Sequence, residues 1–135
     1  MFILACAGKI HRATVTQAEL NYVGSITIAP ELLAASGIRP GQYVNVTSCA
    51  NGVFWRTYAL AGEPGKGQVC LNGPPARHFQ PGDKVIILAE CMVTPEEFET
   101  LQAKVVFADD HNKVGGVRLL LPPEPMAVLE EEVIG

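Results

Sequence analysis

Gly24-Ser25 is a pair of residues whose types could let the chain cut itself. Because glycine has no Cβ, Gly24 can adopt backbone angles closed to other residues, and the Ser25 hydroxyl can then swing back onto the preceding carbonyl. Attack there converts the amide into an ester, and β-elimination releases the upstream piece and leaves a dehydroalanine. Hydrolysis of the dehydroalanine yields a pyruvoyl group on a new N-terminus. A Gly-Ser pair alone is also ordinary turn chemistry, so the surrounding residues decide the interpretation.

Those residues form a series of short motifs. Residues 9–16 read Lys-Ile-His-Arg-Ala-Thr-Val-Thr, and residues 20–28 read Leu-Asn-Tyr-Val-Gly-Ser-Ile-Thr-Ile. Further motifs follow in order: Asn51-Gly52, Thr57-Tyr58, Asn72-Gly73 and Pro81-Gly82-Asp83-Lys84-Val85-Ile86-Ile87. Over roughly residues 8 to 108, the chain resembles the family of pyruvoyl-dependent aspartate 1-decarboxylases.

The resemblance implies self-cleavage into residues 1–24 and 25–135, followed by decarboxylation of L-aspartate to β-alanine and CO2 for pantothenate and coenzyme A synthesis. Loss of CO2 leaves a carbanion beside nitrogen, which needs an electron sink. A Schiff base between the substrate amine and the pyruvoyl carbonyl supplies that sink, as pyridoxal phosphate does elsewhere. The expected cofactor is thus the covalent pyruvoyl group derived from Ser25, with no pyridoxal phosphate and no metal.

Roles for individual residues also follow from the resemblance. Ser25 becomes the electrophile, Tyr58 returns a proton to the carbanion, and Thr57 helps to position the cleavage site and the substrate. Lys9 and His11 correspond to residues that line the active site of the family. The remaining predicted site residues are Tyr22 in a supporting role and, for substrate binding, Asn72, Gly73, Pro74 and Pro75.

The chain departs from the family pattern at the substrate pocket. Phe54 stands where the family normally has arginine, but Arg56 follows two residues later, on the same strand face and about 6.6 Å away. We therefore expect Arg56 to bind the second carboxylate of aspartate. Pro74 and Pro75 replace alanines whose backbone contacts substrate, and proline has no N–H to donate. Ile3 replaces a common arginine.

Two other functions stay open at this point. An altered pocket could select another amino acid, or an unprocessed barrel could serve as a binding or assembly protein. A substrate panel separates the first alternative from aspartate decarboxylation, and an intact mass separates the second. The sequence also leaves open whether cleavage needs a maturation factor.

Short strands must position these residues. A first strand is predicted over residues 1–8 and on through Lys9–Thr16, with Lys9, His11, Ala13 and Val15 on one face. Residues 17–23 are a predicted connection that presents Tyr22. A hairpin of Tyr43–Ser48 and Val53–Leu60 is predicted around a type I′ turn at Asn51-Gly52. The other predicted elements are a strand Ser25–Ile28, a helix Pro30–Gly37, a strand Gln68–Leu71, a tight loop Asn72–Pro75, a strand Lys84–Glu90, a helix that starts at Thr94 and a last strand Lys104–Ala108.

Many short strands, glycine turns and two short helices predict a small closed β-barrel. The resemblance implies a six-stranded double-psi β-barrel, assembled as a homotetramer with active sites between subunits. We expect residues 1–116 to form the barrel domain and residues 117–135 to form a tail that is mobile or packed on a neighbouring subunit.

The composition limits the classes of partner that the chain is expected to bind. With 135 residues, 48% hydrophobic content and a net charge of −4, the chain is long enough for one domain and has no basic block for nucleic acid or an anionic membrane. Its apolar runs are too short to span a bilayer.

No two of the four cysteines have the Cys-x-x-Cys spacing; they are Cys6, Cys49, Cys70 and Cys91. We therefore expect small buried cysteines in a reducing cytoplasm.

Overall fold

The computed structural model describes residues 1–20 and 24–120, apart from the side chain of Pro75. The strands are β1 Ile3–Thr14, β2 Gln17–Glu19, β3 Ile26–Ile28, β4 Tyr43–Ser48, β5 Phe54–Ala61, β6 Val69–Asn72, β7 Lys84–Val93, β8 Ala103–Ala108 and β9 Val114–Leu120. The helices are α1 Pro30–Ser36, a 3₁₀-helix Pro74–His78 and α2 Pro95–Thr100.

The strands of the described residues form one sheet in the order β2-β6-β3-β5-β4-β7-β1-β8-β9. Alternate residues of the strands meet on its inner face, where Ile10, Ile26, Val46 and Ile87 are completely buried. Leu32 of α1 closes the same core. The predicted all-β, barrel-like class is confirmed.

A bulge in β1 changes which of its side chains face the core. The pairing with β7 shifts register between Ile10 and Ala13, and Arg12 between them has a φ of 61°. One extra residue moves the following side chains to the opposite face. Ala13 therefore joins Ile10 in the core, whereas His11 is only half-buried. The prediction that Lys9 and His11 share a face with Ala13 and Val15 is wrong.

The β4–β5 hairpin is confirmed, but its turn is not type I′. Such a turn needs positive φ at both central residues, and Gly52 has a φ of 75° whereas Asn51 does not have a positive φ. Four residues, 49–52, lie between Ser48 and Val53, whose backbones are joined by a bond from the Ser48 N–H to the Val53 carbonyl at 2.9 Å. The Gly52 N–H also donates to the Ser48 carbonyl at 2.9 Å, whereas a type I′ hairpin loop has only two residues.

Three elements differ from the prediction. Gln17–Glu19 is a strand paired with β6, not a plain connection, and Pro74–His78 is a 3₁₀-helix rather than a tight loop. The strand β8 is not the last, because β9 pairs with it out to Leu120 opposite Ala103. The predicted tail therefore starts inside a strand, and residues 121–135 lie outside the described part.

The predicted start of α2 at Thr94 is confirmed, and a capping box forms there. The Glu97 N–H donates to Thr94 Oγ1 at 3.2 Å, and the Thr94 N–H donates to Glu97 Oε1 at 2.8 Å. The bond from the Thr94 N–H, together with the nearby Thr94 side chain, stabilises the ionised Glu97 carboxylate and lowers its pKa.

The cysteines are less uniform than predicted. Cys70 is buried, Cys6 and Cys91 are intermediate, and Cys49 is exposed, so the prediction of four buried cysteines is wrong. Burial raises the pKa of the Cys6 and Cys91 thiols because it disfavours the thiolate.

Asn112 joins the end of β1 to two loops. Its Oδ1 accepts from the Thr14 N–H, and its Nδ2 donates to the Thr14 and Gly67 carbonyls, all at 2.8 Å. The residue is 2% exposed, so water cannot replace these partners. Asn112→Ala should lower the free energy of unfolding by about 2–4 kcal/mol, because buried backbone groups lose their partners.

Urea unfolding at one fixed protein concentration measures this loss. Lys113→Ala, at the exposed neighbouring residue, is the matched control and should cost less than about 0.5 kcal/mol. If Asn112→Ala lowers the free energy of unfolding by less than about 1 kcal/mol, the hydrogen bonds of the Asn112 side chain contribute little to stability.

Candidate active site

The Gly24-Ser25 peptide has an unusual backbone. Gly24 has a φ of 126° and Ser25 has a φ of 98°, in a region that residues with a side chain rarely adopt. Among the described residues, apart from its chain neighbours, no atom lies within 4 Å of a Cβ added at Gly24, so the positive φ is the feature there that favours glycine. Ser25 is 1% exposed. Such a conformation costs on the order of 1–3 kcal/mol and persists only where neighbours hold it.

The neighbours of Ser25 are β5 and β6, which flank β3 on either side. The Asn72 N–H donates to the Ser25 carbonyl at 3.0 Å, and Asn72 Nδ2 donates to Thr27 Oγ1 at 3.3 Å. The next residue, Gly73, has a φ of 103° and donates its N–H to the Glu19 carbonyl at 2.8 Å. Asn72 and Gly73 are therefore fixed beside the cleavage pair, and Pro74 begins the 3₁₀-helix there.

Tyr58 lies one strand from Ser25. In the parallel pairing of β3 with β5, Ile26 is opposite Ala59, and Ser25 and Tyr58 are the residues just before that pair. Neighbouring strands are about 4.8 Å apart, so the two residues are adjacent. Tyr58 is half-buried, and its ring centroid is 6.1 Å from that of Tyr43. Thr57 is 7% exposed and points to the other side of β5.

Arg56 lies on the outer face of the sheet, as the alternation of β5 predicts. Its cross-strand neighbours form a row, because Arg56 pairs with Asn45, Asn45 pairs with Leu88, and Leu88 pairs with Lys9. Directly opposite residues point to the same face, so Lys9 and Arg56 share that face. The Arg56 side chain is 57% exposed and its Nη1 is 3.1 Å from Glu90 Oε1.

Lys9 and His11 lie on the same outer face but far along it from Ser25. Four strand steps separate β3 from β1 in the sheet, which is about 19 Å along its curve. The His11 ring packs edge-on against Phe107, with centroids 5.5 Å apart. Ser25, Tyr58, Asn72 and Gly73 therefore lie on or beside neighbouring strands, whereas Lys9 and His11 lie on β1, which does not pair with β3. Tyr22 lies outside the described residues.

Glu90 and Asn45 were not predicted from the sequence as residues of the site. Glu90 Oε1 accepts from Asn45 Nδ2 at 2.6 Å as well as from Arg56, so both residues belong to the surroundings of Arg56. One feature of the sequence could have indicated Glu90: it is an acidic residue directly after the apolar run Val85–Ala89.

In residues 1–20 and 24–120, no group of three or more histidine, cysteine or acidic side chains is arranged to hold a metal ion. Within the same ranges, no helix has the length and apolar character to cross a membrane.

Known proteins similar to this chain agree on one family. A sequence profile described as Aspartate decarboxylase matches residues 1–115. The protein named Aspartate 1-decarboxylase of Caldicellulosiruptor saccharolyticus is 54% identical over 114 residues, or 84% of this chain and 89% of that protein. The protein of the same name from Ruminiclostridium cellulolyticum is 54% identical over 114 residues, with the same coverage of 84% and 89%. That from Listeria monocytogenes serotype 4a is 48% identical over 124 residues, or 92% and 95% of the two chains. The resemblance seen in the sequence is confirmed, and the chain belongs to the aspartate decarboxylase family.

Proposed function

We propose that this chain cleaves itself at Gly24-Ser25 and decarboxylates L-aspartate to β-alanine and CO2, for pantothenate and coenzyme A synthesis in the cytoplasm. The observation that carries the proposal is the positive φ at both Gly24 and Ser25, within a chain of the aspartate decarboxylase family. Strain in this peptide favours attack by the Ser25 hydroxyl on the Gly24 carbonyl, because the ester that forms relieves it.

The surroundings of Ser25 fit a pyruvoyl group formed from that residue. The group supplies an electron sink for the carbanion that loss of CO2 leaves. The Ser25 carbonyl oxygen, next to the reacting carbon, accepts a hydrogen bond from the Asn72 N–H at 3.0 Å. A fixed donor there stabilises negative charge that develops on the oxygen.

Tyr58 is the proposed proton donor, because it is the half-buried hydroxyl residue one strand from Ser25. The segment around Ser25 is proposed to be positioned by Thr57, Asn72 and Gly73. Tyr22 is proposed as a further supporting residue. The 3₁₀-helix that follows Gly73 begins with Pro74 and Pro75, and neither residue has a backbone N–H to donate to a substrate.

A second copy of the chain completes the proposed site. Lys9 and His11 lie on β1, four places from β3 in the strand order, and we propose that they line the site from a neighbouring subunit. We infer a homotetramer, with the β-sheet domain, which extends to the end of β9 at Leu120, as the subunit core and an active site at each interface between Ser25 of one copy and Lys9 of another.

Arg56 is the proposed anchor for the second carboxylate of aspartate, in place of the arginine missing at Phe54. Arg56→Ala should raise the KM for aspartate about 10- to 100-fold, because a charge-assisted contact contributes roughly 1.5–3 kcal/mol. Ser25 cleavage should stay complete. Steady-state assays of β-alanine formation measure the change.

Arg56→Lys is the graded variant and should recover only part of the affinity, since lysine lacks the planar fork. If Arg56→Ala keeps the wild-type KM, Lys9 is the remaining candidate anchor and Arg56 has no role in binding.

The proposed substrate is tested by a panel of amino acids, with CO2 release and the amine product measured for each. Aspartate should give the highest kcat/KM. Phe54, which is 62% exposed on the same face as Arg56, is the feature that favours the alternative of a different substrate. A higher kcat/KM for another amino acid would overturn aspartate as the substrate while leaving self-cleavage intact.

A further inference from the structure

The Glu90 side chain of β7 accepts hydrogen bonds from residues on two other strands, β4 and β5. Its Oε1 accepts from Asn45 Nδ2 of β4 at 2.6 Å and from Arg56 Nη1 of β5 at 3.1 Å. Since β4 lies between β5 and β7, the Glu90 side chain reaches over Asn45 to meet Arg56. The Glu90 side chain is 23% exposed against 57% for Arg56, so the carboxylate is the better fixed of the two.

Arg56 needs such support to bind a ligand well. An exposed arginine samples many rotamers, and a ligand that fixes it must offset the lost entropy. The Tyr43 ring lies 6.0 Å from Arg56 Cζ and limits the side chain from another direction. The bond to Glu90 uses a donor on Nη1 only, so the other N–H groups of the guanidinium can bind a substrate carboxylate.

We infer that Glu90 is a positioning residue for substrate binding: it holds the Arg56 guanidinium in the orientation that receives the second carboxylate of the amino-acid substrate. The inference rests on the proposed function and on the role of Arg56 in it. Glu90 touches neither the substrate nor the pyruvoyl group in this account, and acts through Arg56 alone.

Glu90→Ala should raise the KM for aspartate about tenfold, change kcat by less than about twofold and leave Ser25 cleavage complete. Glu90→Gln should raise KM less, because its amide oxygen can still accept the hydrogen bond from Arg56. Glu96→Gln, at an exposed position in the first turn of α2, is the matched control and should keep the wild-type KM.

A double-mutant cycle separates positioning from a general structural role. In the Arg56→Ala background, adding Glu90→Ala should leave KM unchanged within about twofold, because the residue through which Glu90 acts is gone. An unchanged or lowered KM in Glu90→Ala would overturn the inference. It would also be overturned if the KM increase of the double variant equals the product of the increases of the two single variants. If Glu90→Ala does not fold, the cycle is run with Glu90→Gln, and the same outcomes decide.

The proposed function fails in a different way. Wild-type protein that forms no β-alanine from aspartate overturns that function, and this inference with it. Wild-type turnover combined with independent effects of Arg56 and Glu90 overturns the positioning role alone.

Discussion

Ser25→Ala should remain a single uncleaved chain and should release no CO2 from aspartate. The variant lacks the hydroxyl that attacks the Gly24 carbonyl, and it cannot form the electrophilic carbonyl on which turnover depends. Ser25 is 1% exposed and alanine is smaller, so the change does not crowd the site. Gel electrophoresis under denaturing conditions and a CO2-release assay measure the two effects.

Ser36→Ala is the matched control, because Ser36 is also 1% exposed but lies in α1, away from the cleavage pair. It should be cleaved and active. A Ser25→Ala protein that decarboxylates aspartate, or that still appears as two pieces cut at this bond, would contradict the role assigned to Ser25.

Tyr58→Phe should be cleaved normally but should decarboxylate aspartate about 10²- to 10⁴-fold more slowly, the usual contribution of general acid catalysis. Phenylalanine keeps the ring that packs near Tyr43, so the change removes the proton donor and little else. Single-turnover and steady-state rates on fully cleaved protein measure the effect.

Tyr43→Phe removes the hydroxyl of the neighbouring ring and provides the comparison, with an expected change in kcat of less than about twofold. If turnover of Tyr58→Phe falls less than about tenfold, which is about 1.4 kcal/mol of barrier, another group or water is the acid.

Local residues predicted the ends of the two α-helices well, although they did not predict the turn at Asn51-Gly52 correctly. Thr94 and Glu97 cap α2 as their spacing predicts, and Gly37 ends α1 with a φ of 78°. The face of β1 was predicted wrongly because alternation cannot show where an extra residue enters, and the bulge at Arg12 depends on the pairing with β7. Gly115 and Gly116 weakened the signal for β9, which forms because β8 offers it a partner.

Some residues of the candidate site could be predicted from the sequence, and others could not. The order of short motifs identified Gly24-Ser25 and Tyr58, and strand alternation placed Arg56 on the face of Tyr58. The contact between Arg56 and Glu90 could not be foreseen, because the two residues are 34 positions apart and meet only through the register of three strands. The distance from Lys9 to Ser25 likewise follows from strand order, which alternation within a strand does not contain.

The most direct test of the central claim is the mass of the purified wild-type protein under denaturing conditions. We expect two pieces, residues 1–24 and residues 25–135, with the second lighter by one ammonia than the same piece with an N-terminal serine. That difference is the signature of a pyruvoyl group at residue 25. A wild-type chain that stays intact and still decarboxylates aspartate would contradict the account.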